Sequence, residues 1–113
     1  MAGCPSREKA LELLHEYTKT DSLRRHALGV EQAMRKMAEK YDGDPNEWGL
    51  AGLMHDFDYE KYPSMEEHPF RGNEILKEKG YPESITRAIM GHATYSGIPR
   101  DTDMAKALFA VDE

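Results

Sequence analysis

Apolar residues in this chain recur at intervals of three and four almost from end to end, and they rarely alternate with polar ones. That period belongs to helices burying one face, not to strands. Proline, glycine and short polar side chains divide the pattern into about six segments, so the expected fold is an all-α bundle. Ser6 is placed to cap a first helix carrying Leu11, Leu14 and Tyr17. Asp21 or Ser22 is placed to cap a second, with Leu23, His26, Val30, Ala33 and Met37 on one face. Asp42-Gly43-Asp44 ends it. Asp44, Pro45 and Glu47 then read as N-cap, first helical residue and capping box. The third helix runs through Trp48, Ala51 and Leu53 to His55-Asp56, and residues 57–67, with Pro63, form a loop. A fourth helix starts near His68-Pro69 and ends at Gly80. Pro82 opens a fifth, with Ile85, Ala88, Ile89 and His92 on one stripe. After a loop at Gly97, Pro99 and Asp101, Thr102 caps a sixth, in which Met104, Ala105, Leu108, Val111 and Asp112 share a face.

A chain of 113 residues suits one small domain, with residues 1–19 as an N-terminal helix of the same compact unit as residues 20–113. The sixth helix reaches Asp112-Glu113 without a capping signal, and two acids there oppose the macrodipole. The bundle is therefore expected to be truncated at its C-terminus. Lys and Arg total 15 against 21 Asp and Glu, a formal charge of -6. That argues against a general electrostatic grip on a nucleic acid polymer or an anionic membrane. A small phosphorylated molecule stays open, because a bound metal supplies local positive charge. No apolar run approaches the roughly 20 residues of a membrane span. The first residues, Met1-Ala2-Gly3-Cys4-Pro5, lack the features of a signal peptide. Cys4, the one cysteine, has no internal partner, which fits a reducing, cytoplasmic setting.

The chemistry rests on histidines. Of five, His26, His55, His68 and His92 fall on or beside apolar stripes. One such histidine is ordinarily a satisfied core or rim residue. Four together, with Asp56 directly after His55 and Asp112 on the face of Met104, Leu108 and Val111, suggest a metal site. A buried, unpaired Asp112 is costly, and a metal removes the cost; a frayed helix end would instead leave it exposed. Imidazole and carboxylate suit Zn, Mn or Fe. Adjacent residues on a helix diverge by about 100°, so His55 and Asp56 share an ion only where the helix ends, at Asp56-Phe57-Asp58. Asp58 and Glu60 are candidate proton carriers or orienters of ligands. Arg25, Lys61, Arg71 and Arg100 are candidate phosphate contacts, although surface charges of this kind are usually just solvated. His15 reads as structural, and the methionines with Tyr17, Trp48 and Phe109 as core.

The ordered set His26, His55-Asp56, Asp112, all on helices, resembles the HD superfamily of metal-dependent phosphohydrolases. Leu50-Ala51-Gly52-Leu53-Met54-His55-Asp56 resembles the small-apolar helix before the family's HD pair. His68-Pro69-Phe70-Arg71-Gly72-Asn73-Glu74-Ile75-Leu76, Gly91-His92-Ala93 and Ala107-Leu108-Phe109-Ala110-Val111-Asp112-Glu113 resemble its later ligand segments. The resemblance implies an HD-type helical bundle with His26, His55, Asp56 and Asp112 on one ion. It implies His68 and His92 on a second, with Asp56 bridging. The cofactor expected is one or two divalent ions (Mn, Fe, Zn, Ni or Co, with Mg as a further candidate). The expected activity is hydrolysis of a nucleotide-like phosphomonoester or phosphodiester, with Asp56 and Asp58 as catalytic groups and Arg25, Lys61 and Arg71 on the substrate. Phe57-Asp58-Tyr59-Glu60-Lys61 stands where the cyclic-dinucleotide branch has Ile-Gly-Lys, so that substrate is not expected. Two rivals stand beside it: a di-iron oxygenase of the same superfamily, which keeps the ligands and changes the chemistry, and a non-catalytic metal- or nucleotide-binding module.

Overall fold

The computed structural model describes residues 6–61, 68, 70–92 and 102–112, with His92 and Asp112 described by backbone alone. Six helices account for most of them: α1 (Arg7–Tyr17), α2 (Asp21–Lys40), α3 (Pro45–Met54), α4 (Phe70–Glu78), α5 (Glu83–His92) and α6 (Asp103–Asp112). No strand occurs among the described residues. The all-α expectation holds, and the expected boundaries fall close to the observed ones. Pro63, Pro69, the Gly97–Asp101 loop and Arg100 lie outside the described residues, as do Cys4 and Glu113.

Helix α3 is the centre. Every residue from Trp48 to Met54 is buried, as befits a helix apolar on all sides. It packs against α1, α2, α5 and α6, most extensively against α2. It comes close to α2 at Gly52, where a Cβ would lie within 2.8 Å of the Val30 carbonyl oxygen and 2.9 Å of Met34 Cγ. A side chain at that position would push the two helices apart.

The caps are local chemistry. Ser6 accepts from the Lys9 N–H at 3.3 Å, Asp44 from the Asn46 N–H at 3.0 Å, and Thr102 from the Ala105 N–H at 3.1 Å. After α4, Gly80 takes φ 91. Gly80 N–H then bonds Lys77 O at 3.1 Å and Tyr81 N–H bonds Leu76 O at 3.0 Å, a Schellman closure. After α2, Asp42 rather than Gly43 takes the left-handed conformation, with φ 60. Gly43 N–H closes that turn on Ala38 O at 2.7 Å.

Three expectations need correction. The N-cap of α2 is Thr20, not Asp21 or Ser22, and its side chain makes no capping bond. Instead the Thr20 hydroxyl donates to Glu60 at 2.5 Å, and the same carboxylate accepts the Lys19 and Thr20 N–H groups at 3.0 Å each. Glu47 does not turn back on its own helix; it accepts from the Ser84 hydroxyl of α5 at 2.9 Å. The buried face of α2 is centred on Ala27, Val30, Met34 and Ala38, not on Leu23, His26, Ala33 and Met37. The small side chains there let α3 come close, and this leaves His26 at the exposed edge of the face.

Leu14, Met34, Leu53, Met54, Phe57, Leu76, Ile85 and Leu108 fill the core, each less than 2 % exposed. Leu13 and Leu14 of α1 belong to that same cluster. Glu31 is fully buried and receives Arg7 Nε at 2.6 Å, Arg7 Nη2 at 2.9 Å and Arg35 Nη2 at 3.3 Å. Arg35 also donates to Asn46 at 3.1 Å, so one carboxylate ties α1 and α2 to the start of α3.

Candidate metal centre

The close approach at Gly52 decides where the site forms. His26 lies one turn before Val30 on α2, and His55 lies three residues past Gly52 on α3. The two helices run antiparallel through the contact, and the imidazole rings meet with centroids 5.2 Å apart. His55 is the C-cap of α3, still right-handed at φ -60 and ψ -29. The chain then continues in successive turns, with Phe57 N–H on Met54 O at 3.3 Å and Tyr59 N–H on Asp56 O at 3.0 Å. Leaving the helix at this point brings Asp56 beside His55, with Asp56 Oδ2 3.4 Å from His55 Nε2. Ligand atoms of His26, His55 and Asp56 all lie within 4.8 Å of one another.

The donor chemistry fits a divalent cation. His55 is wholly buried, and its Nδ1 lies 2.6 Å from the Gly52 carbonyl oxygen. A carbonyl only accepts, so Nδ1 carries a proton, and Nε2 is the nitrogen on the side of Asp56. Ligating histidines are characteristically held in this way by a carbonyl or carboxylate behind the ring. Two imidazoles and a carboxylate form a borderline donor set, suited to the later first-row metals.

Asp56 also faces a second imidazole. His68 Nε2 lies 3.1 Å from Asp56 Oδ1, so the two carboxylate oxygens point to different histidines. On the far side of its ring, His68 Nδ1 lies 2.7 Å from Asp58 Oδ1. Asp58 is 1 % exposed, and its other oxygen accepts the Gly72 N–H at 2.9 Å. Burial alone would lower the His68 pKa, but hydrogen bonds to Asp56 and Asp58, reinforced by their charges, outweigh it and raise it to about 9. Tyr59 sets its ring against His68, edge to face, with centroids 5.5 Å apart.

The remaining candidates fall in several places. His92 closes α5 and Asp112 closes α6; their side chains lie outside the described residues. Both oxygens of Asp58 are occupied by His68 and Gly72, an arrangement for orienting a ring. Glu60 is tied to Lys19 and Thr20, and these hydrogen bonds, that of the Thr20 hydroxyl first, hold its carboxyl below the usual carboxylate range. Lys61 sits over the Tyr17 ring, 5.0 Å from its centroid. Arg71 lies 3.8 Å from Glu74 on the exposed side of α4. Arg25 and His15 are exposed. Backbone partners were missed in sequence: the Gly52 carbonyl behind His55 and the Gly72 N–H behind Asp58. Only the small side chains at those positions hinted at them.

A family model for the HD domain matches residues 23–112, most of the chain, and the protein belongs to that family. Its members are mostly metal-dependent hydrolases, and HD domains bind divalent metals. No curated protein and no solved structure matches the chain. No helix among the described residues is long and apolar enough to cross a membrane.

Proposed function

We propose that this protein is a metal-dependent phosphohydrolase acting on a small, nucleotide-like phosphomonoester or phosphodiester. The observation that carries the reading is the convergence of His26, His55 and Asp56 at the end of α3, within one ion's reach, in a chain of the HD family. His26, His55, Asp56 and Asp112 would hold one divalent ion; His68 and His92 would hold a second, sharing Asp56. A divalent ion held there would lower the pKa of a bound water and polarise a phosphoryl oxygen. The rest is done by side chains. The Gly52 carbonyl holds the Nδ1–H of His55 and turns Nε2 toward Asp56. Asp56, 27 % exposed, serves in this reading as a catalytic carboxylate, with one oxygen toward His55 and the other toward His68. Arg25, beside His26, Arg71, beside Gly72, and Lys61 would draw a phosphate to the site.

The test is elemental analysis of protein purified without added metal, followed by a phosphoester panel with Mn²⁺ supplied. Bound transition metal and turnover are expected in the wild type, with loss of both in His55→Ala and Asp56→Ala and loss of turnover in Asp112→Ala. Full metal retention in both of the first two variants would overturn the site. A metal-loaded protein inert over the whole panel would overturn the reaction.

A further inference from the structure

The Asp58 carboxylate belongs to no ligand group, yet it is almost wholly buried one residue beyond the turn that presents Asp56. Its two hydrogen bonds run to different elements: Oδ1 to His68 Nδ1 at 2.7 Å, and Oδ2 to the Gly72 N–H in the first turn of α4 at 2.9 Å. The contact with Gly72 is specific to glycine. A Cβ there would come within 2.7 Å of both Asp58 Cγ and Oδ2, and 3.1 Å from the Phe57 ring. No side chain fits without displacing the carboxylate. A neutral amide would not replace it either, because both partners donate and only a carboxylate accepts on both sides.

We propose that Asp58 and Gly72 form a positioning device that holds His68 as the Nδ1–H tautomer and aims its Nε2 at Asp56. Gly72 anchors the carboxylate, the carboxylate anchors the ring, and the ring turns its Nε2 to the carboxylate shared with His55. His68 precedes α4 and is not inside a helix, so no backbone ladder orients it. Asp58 supplies that order from behind. The inference rests on the proposed metal site but not on the phosphoester reaction: Asp58 acts on ion binding through His68 whichever substrate is turned over.

The experiment titrates metal-stripped protein with Zn²⁺ alone and records the imidazole ¹⁵N–¹H correlations of the zinc-loaded wild type. The wild type is expected to show the His68 proton on Nδ1. Asp58→Asn is expected to retain its helical circular dichroism and to weaken the His68-dependent binding step by about 10- to 100-fold, the usual weight of a residue behind a ligating histidine. In a His68→Ala background the same substitution should change zinc affinity no further. Three results would each overturn the proposal: the proton on Nε2 in the wild type, a folded Asp58→Asn protein with wild-type affinity, or an additional loss in the double variant. The wild-type spectrum decides by itself if Asp58→Asn fails to fold. Failure of the phosphohydrolase reading would show separately, as a zinc-binding protein with the expected His68 proton and no turnover.

Discussion

Glu31 and Asp58 are both carboxylates withdrawn from water, at 0 % and 1 % exposure, and the fold compensates them by opposite means. Glu31 is gripped by two guanidinium groups, which stay charged across the whole working pH range. It joins α1 to α2 and, through Arg35, to Asn46 on α3. Asp58 is compensated by an imidazole, which can carry one proton or two and whose other nitrogen points at Asp56, the carboxylate of the candidate metal site. A buried acid held by arginine is a fixed joint. A buried acid held by histidine is a bearing, since its partner can take up or release a proton. The difference lies in the partner's chemistry, not in the depth of burial.

The sharpest way to break this contrast is at the ligands. Asp56→Ala should remove most bound metal and lower turnover by more than the ~10–100-fold carried by residues behind ligands, while Glu31→Gln should leave metal content unchanged. Elemental analysis checks both. Stability should respond in the reverse order. Arg7→Ala leaves the buried Glu31 with Arg35 as its remaining cation. It should cost about 1.5–2 kcal/mol in denaturant unfolding, the lower range for hydrogen bonds to a charged group, because Arg7 is itself partly solvated and Arg35 stays in place. An unfolding midpoint equal to wild type would show Arg7 to be dispensable.

pH separates the two clusters further. The folded His68 value of about 9 lies above its ordinary 6.5. In the metal-free protein the Asp56–His68–Asp58 linkage therefore stabilises fully below about pH 6.5 and is lost as pH rises through about 9. A metal bound by His68 must displace that proton. Affinity for the His68-dependent ion should then rise about tenfold per pH unit from 7 toward 9 and level off above. Calorimetric titration in buffers of different ionisation enthalpy would count the proton released, and a count of zero would contradict the linkage. No such slope is expected from the Arg7–Glu31 joint.

Gly72→Ala tests the anchor of the bearing. The added methyl meets the Asp58 carboxylate, and about 1–3 kcal/mol of overpacking is expected, together with weaker metal binding at His68. Unchanged stability and unchanged binding would mean that α4 shifts freely. The smallest effect should come from Thr18→Val. Its hydroxyl donates to the Phe57 carbonyl at 2.9 Å in the buried turn between the ligands and the core, and losing that bond should cost about 1 kcal/mol. Thermal unfolding would register it, while metal content should stay at the wild-type value.

Sequence alone determined the helices and most of their ends, because period, proline position and capping side chains act within a few residues of one another. Ser6, Asp44, Gly80 and Thr102 do locally what their chemistry prescribes. His26, His55 and Asp56 were also legible as a set: imidazoles on apolar stripes with a carboxylate at a helix end are costly without a shared purpose, and their order resembled a known family. What the tertiary structure decided depends on contacts between residues far apart in the chain. The α2 face rotated toward Ala27 and Met34 because α3 approaches closely at Gly52. Glu31 was buried because Arg7 reaches it from another helix, and Glu47 turned to Ser84 rather than to its own cap. Asp58 read equally well as a proton carrier or an orienter. Its hydrogen bonds to His68, ten residues on, and Gly72, fourteen residues on, form only when the fold brings them together, and a carboxylate with both oxygens accepting in a dry site is left to hold its partner in place.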